Sequence, residues 1–163
     1  MKPRRTPEVQ RAAGWLRDNE SRIRESFQRA IAASEENGDN RRAFAGEVKT
    51  GVTAGRRRAY LTIGLPVKNG AGAAWVSLRH FDSARPEVET TWRPHPDPVW
   101  LATMELENRK FERHPGREAE YRRTLWPGKE SLLEEIEEAL SDIATTGVLA
   151  TDIESPFADR MLG

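Results

Sequence analysis

Catalysis in this chain would have to come from few residues. Two of its three histidines stand in His-x-Asp patterns, His80-Phe81-Asp82 and His95-Pro96-Asp97. On a strand, side chains two residues apart share a side, and imidazole beside carboxylate is a pairing that metal sites use. The two patterns fall at turns on opposite ends of one strand, roughly 20 Å apart at about 3.3 Å per residue, too far for a shared metal centre. Motifs this short arise often by chance, so both read as surface histidines near turns. The chain has no cysteine, hence no disulfide, thiolate nucleophile or Cys-based metal site. It has no Gly-x-Ser-x-Gly elbow, and Gly70-Ala71-Gly72 follows a turn without opening a helix, so it is no phosphate loop. Neither a cofactor nor a metal is implied.

Glu47-Val48-Lys49 offers one enzymatic alternative. An acid and an amine two residues apart match part of the pattern by which a metal-dependent nuclease holds a divalent ion and assists the attacking water. Asp39 is the upstream acid. The alternation of charges on a solvent-facing strand explains the same residues, and the reading as a whole points away from catalysis.

Charge is sorted along the chain although the formal total is zero. Residues 1–58 carry 14 Lys+Arg against 8 Asp+Glu, whereas residues 124–163 carry 2 against 9. A basic front and an acidic tail suit either a fit within the fold or two oppositely charged partner surfaces. Arg outnumbers Lys 21 to 5, which favours bidentate pairing with carboxylates or phosphates.

These residues need elements to position them. Thr6, Pro7 and Glu8 open a long helix whose stripe is Val9, Ala13, Leu16, Ile23, Phe27 and Ala30, interrupted by Glu20, with Gly38 beyond its end. Residues 43–107 then read as a five-stranded antiparallel meander over 43–50, 59–68, 73–81, 87–93 and 99–107, with Asn69-Gly70 as its clearest turn. One face collects Phe44, Val48, Leu61, Ile63, Leu65, Val67, Val76, Leu78, Val88, Trp92, Trp100, Met104 and Leu106. Residues 118–125 suggest a short helix. Ser131 and Glu134 have capping-box spacing for an acidic C-terminal helix with Leu132, Leu133, Ile136, Leu140 and Ile143 as its buried stripe. The expected fold is therefore α+β, a single domain over 1–163 with 151–163 as a tail.

The opposite sheet face carries Tyr60, Trp75, Phe81, Val99 and Leu101 among charges, too aromatic for a solvated face and too charged for a core. With His95 and Asp97 in the stiff Pro94–Pro98 loop, these residues form the expected protein-binding surface. The meander would also bring Arg56, Arg57, Arg58, Arg85, Arg109, Lys110 and Arg113 to one end of the sheet, a rim able to bind phosphates. The leading expectation is a non-enzymatic protein-binding module of regulatory, immunity or inhibitor type, acting on another protein or on a second copy of itself. Nucleic-acid binding through the Arg-rich rim comes second, and the metal-dependent nuclease built on Glu47 and Lys49 third. No stretch reaches the roughly 20 apolar residues that a membrane span needs. The polar N-terminus lacks the apolar run of a secretory signal, and with the lack of cysteine it fits a cytoplasmic setting.

Overall fold

The computed structural model describes residues 6–36, 48–67, 70–93, 106–113 and 120–145. Helix α1 runs Pro7–Glu36. Thr6 caps it as expected, its hydroxyl accepting the Val9 amide at 3.2 Å. Val9, Ala13, Leu16, Ile23 and Phe27 are buried along one side. Glu20, which breaks the stripe, is accounted for: its carboxylate accepts a 2.8 Å hydrogen bond from the Thr50 hydroxyl on the sheet beneath. A polar pair thus sits where a hydrophobic contact was due.

The sheet has six strands: β1 Lys49–Ala54, β2 Ala59–Val67, β3 Gly70–Arg79, β4 Glu87–Arg93, β5 Glu112–Arg113 and β6 Tyr121–Leu125. Their order is β1-β2-β3-β4-β6-β5, and every neighbouring pair is antiparallel. The first four form a meander as expected, with β2 to β4 near their expected positions but β1 at Lys49–Ala54, later than the expected 43–50. A helix over 132–145, α2, follows a 3-10 turn at Lys129–Ser131. The fold is α+β, with an N-terminal helix, an antiparallel sheet and a C-terminal helix.

Three sequence expectations are corrected. The strand expected over 99–107 is not seen at its described end, because 106–108 are helical. That helix closes on itself: the Phe111 amide bonds the Leu106 carbonyl, the Lys110 amide bonds that of Glu107, and Lys110 is left-handed at φ 68°. This is the Schellman ending, with Leu106 and Phe111 both buried as its hydrophobic contact. The place beside β4 goes instead to Tyr121–Leu125, expected to be helical. Strand β3 stops at Arg79, so Phe81 does not continue its alternation. Val48 is buried as expected, while Phe44, Glu47, Trp100 and Met104 lie outside the described residues.

Both helices pack on one face of the sheet. Leu61, Ile63, Val76, Leu78, Val88 and Trp92 from that face join Leu16, Ile23, Phe27, Leu132, Ile136 and Ile143 in a single core. Ser131 falls inside the 3-10 turn, whose N-cap Gly128 has no side-chain hydrogen bond, so the turn itself starts α2 in place of the expected capping box. Arg22 of α1 meets Glu137 of α2 at 3.4 Å across the top of the core.

Candidate functional site

The face turned away from both helices holds the candidate site. Antiparallel register decides which residues share it. One row runs Gly51, Thr62, Trp75, Thr91, Arg122 and Glu112 across the six strands. The next runs Thr53, Tyr60, Ser77, Glu89 and Thr124. Tyr60 and Trp75 thus stand on adjacent strands one step apart, as the sequence predicted, and both are half-buried. They line a depression of about 320 Å³ together with Arg58, Ser77, Glu89, Thr91, Glu120 and Arg122.

Most charges on this face are matched within it. Glu87, buried at 4% exposure, accepts from Arg79 at 2.7 Å and lies 3.5 Å from Arg58. Arg58 also reaches Glu89 at 3.6 Å and donates to the Ser77 hydroxyl at 3.3 Å. The Thr124 hydroxyl donates to Glu89 at 3.3 Å. Arg93 pairs with the buried carboxylate of Glu120 while its guanidinium lies 5.4 Å from the Trp75 ring centre. A carboxylate removed from water needs such partners, and the pairs hold the side chains of the face in place.

Gly55 bears on the same site from the β1–β2 turn. A Cβ there would stand 2.8 Å from the Arg58 carbonyl oxygen and 2.8 Å from the Tyr60 ring, so the close approach of backbone to ring requires glycine. A second hollow of about 500 Å³ runs beside α1 at Arg24, Gln28, Arg29 and Val48. Helical surface side chains make most of that hollow, and it gathers none of the sequence's candidate residues.

The other candidates are distributed differently. Phe81 is buried, 6.3 Å from the Trp15 ring of α1 and under the Lys129 ammonium at 4.6 Å, so it belongs to the core side and not to the outer face. The physical reason is His80, whose left-handed φ of 56° turns the chain and ends the two-residue alternation. Its neighbour Asp82 is taken by Arg11 of α1, and this hydrogen bond and the guanidinium charge hold its carboxyl below the usual aspartate range. The same bond raises the Arg11 pKa. Asp82, paired with Arg11, therefore ties the turn to the helix. Among the described residues no group of three or more His, Cys, Asp or Glu side chains could hold a metal ion. His95, Asp97, Val99, Leu101 and Glu47 lie outside the described residues, and Lys49 is exposed at the start of edge strand β1.

The Arg-rich rim does not converge. Arg56 and Arg57 are exposed in the β1–β2 turn and Arg85 in the β3–β4 turn, at one end of the sheet. Arg58 is drawn onto the outer face by its two glutamates. Arg109 binds Asp142 of α2. Lys110 is exposed, and Arg113 pairs with Tyr121 in the row of Trp92, toward the opposite end. Strands β1 and β5 are five spacings apart, about 24 Å at about 4.8 Å each, so these cations form no single cluster. The acidic helix neutralises one member of the set: Arg109 shares Asp142 with Arg123, a residue the sequence had not singled out.

Two residues of functional interest escaped the sequence. Arg122 sits on β6, in a segment expected to be helical, and Trp126 directly follows that strand. Trp126 is 56% exposed, the large apolar side chain that stands out among the described residues. The signal that could have found them is the Tyr-Arg-Arg-Thr-Leu alternation, obscured by an arginine at an inward position.

No family model, curated protein or solved structure matches this chain. Among the described residues no helix is long and apolar enough to cross a membrane.

Proposed function

We propose that this chain is a non-enzymatic protein-binding module whose contact surface is the outer face of the sheet. The observation that carries this reading is the pairing of Tyr60 and Trp75 in a polar depression on the face that neither helix covers. Tyr and Trp supply large rigid contact area with few torsions to freeze, and they are frequent energetic anchors of interfaces. Arg58, Arg79 and Arg93, held by glutamates, give the surface a fixed charge pattern for a partner to match. The acids here are tied to guanidiniums, which supports recognition over acid–base catalysis. A regulatory, immunity or inhibitor-type role in which the module masks its partner fits such a preorganised face, and a second copy of the chain is the alternative partner.

The test is Trp75→Ala, compared with the exposed-rim variant Arg56→Ala/Arg57→Ala. Partners captured quantitatively by the wild-type chain should be lost by the first and kept by the second, with binding weakened by about 2 kcal/mol or more. Equal capture by Trp75→Ala and the wild type would refute the reading. Nucleic-acid binding retains support from Arg56, Arg57 and Arg85, which are exposed and without ion pairs among the described residues. A salt-dependent affinity for nucleic acid, abolished in the rim variant, would establish it.

A further inference from the structure

We infer that the outer face recognises a carboxylate of an acidic peptide segment, with Arg122 as its anchor. This rests on the reading of that face as the protein-binding surface. Of the guanidiniums on it, Arg58, Arg79 and Arg93 are each committed to a glutamate. Arg122 differs. It is half-buried in the same depression and has neither an ion pair nor a hydrogen bond among the described residues, although Glu112 stands opposite it in the β5–β6 register.

The groups around it lean the same way. Thr91 is its register partner on β4, and Trp75 is the partner of Thr91 on β3. Tyr60, Thr91 and Trp75 line the same depression, and the Tyr60 and Thr91 hydroxyls and the Trp75 indole N–H make no hydrogen bond among the described residues. The acceptors there, Glu89 and Glu120, are already engaged by Arg58, Thr124 and Arg93. The depression therefore offers unused donors around a planar cationic fork, and the complement of that set is a carboxylate, which accepts two parallel N–H bonds from one guanidinium. A volume of about 320 Å³ suits a side chain, and the Tyr60 and Trp75 rings supply apolar contact for its stem. Glu89 and Glu120 border the same space, so a polyanionic phosphate backbone meets more repulsion there than a single carboxylate placed on Arg122.

Amide-capped peptides with one central Glu or Asp between Leu and Phe residues serve as the probe, beside the same peptides carrying Gln or Asn and a single-stranded oligothymidylate. Binding is read from the Trp75 indole and Arg122 Nε resonances of the full chain. Acidic peptides should shift both resonances and bind at least about tenfold tighter than their amide counterparts. Arg122→Gln should erase that preference at an unchanged melting temperature, and Arg122→Lys should restore part of it. Absence of an acidic preference, its persistence in Arg122→Gln, or binding of the oligonucleotide instead would overturn the inference. If Arg122→Gln keeps the captured protein partner while Trp75→Ala loses it, the face remains the interface and only the carboxylate anchor falls. If Trp75→Ala also keeps the partner, the binding-face reading falls with it.

Discussion

Replacing Arg123 by Ala should release α2 from the sheet, and the size of the effect follows from its surroundings. The Arg123 side chain is 8% exposed although it lies on a strand face otherwise filled by Val88, Trp92 and Tyr121. Its guanidinium stands 3.0 Å from Asp142, 3.4 Å from Glu135 and 3.9 Å from Glu138, and 5.9 Å from the Phe111 ring centre. Its Nε makes no hydrogen bond among the described residues. Removing one member of a buried ion pair costs about 3–5 kcal/mol, because the remaining charge is stranded. Asp142 retains Arg109, and Glu138 is largely in water, which brings the expected loss to the lower end, about 3 kcal/mol. At about 2–4 °C per kcal/mol for a chain this long, the melting temperature should fall by about 6–12 °C. Urea unfolding of Arg123→Ala measures it, and a cycle of Arg123→Met with Asp142→Asn should give a coupling of about 1–3 kcal/mol. A loss below about 1 kcal/mol, or additive behaviour in the cycle, would show that α2 is held by its apolar stripe alone.

Three further outcomes are expected. Ile136, fully buried at the centre of the α2 stripe, should not tolerate Asp, whereas Glu137→Lys, which loses only the long contact to exposed Arg22, should cost about 0–1 kcal/mol; comparable melting of the two variants would mean that α2 is not packed. Gly55→Ala should cost about 1–3 kcal/mol and displace Tyr60, visible as altered resonances of the outer face, since the new Cβ meets both backbone and ring; a neutral substitution would show that the turn gives way freely. The Asp82 carboxyl should titrate below the usual aspartate range and return upward in Arg11→Ala. A depressed folded pKa stabilises the fold above the unfolded value and loses that contribution as pH falls through the folded one, so acid should loosen the α1–turn clamp; an unshifted Asp82 titration in wild-type protein would contradict the clamp.

The parts of the fold legible in sequence were those where local pattern and tertiary contact agree. The α1 stripe, strands β2 to β4 and the α2 stripe each follow one clean period, so Leu61, Val76 and Ile136 read as core and are buried. The segment from 106 to 125 misled because its signals are inverted. Lys110 occupies the left-handed position that glycine usually marks, so a helix end looked like a strand end. Tyr121–Leu125 turns Arg123 toward the helices, breaking the hydrophobic alternation by which a strand is recognised. The acids that make this acceptable lie on α2, 12 and 19 residues onward, at Glu135 and Asp142. Nothing in a window centred on β6 contains them.

That inversion also decides what the candidate site can be. Tyr60 and Trp75 were placed correctly from their own strands, because a hairpin register needs only the turn and the alternation. Their neighbour across β4 was not, since the sheet inserts β6 between β4 and β5 in place of a sequential fifth strand. A meander would have set residues 99–107 next to β4 and left the depression with aromatics and paired charges only. The observed order puts Thr91 opposite Arg122, and so brings the one guanidinium on that face without a partner among the described residues alongside Trp75. Inward Arg123 is tied to α2, and its outward neighbour Arg122 is then fixed on the opposite side by the two-residue period of the strand. The ion pair that docks the helix thereby orients the cation on the outer face.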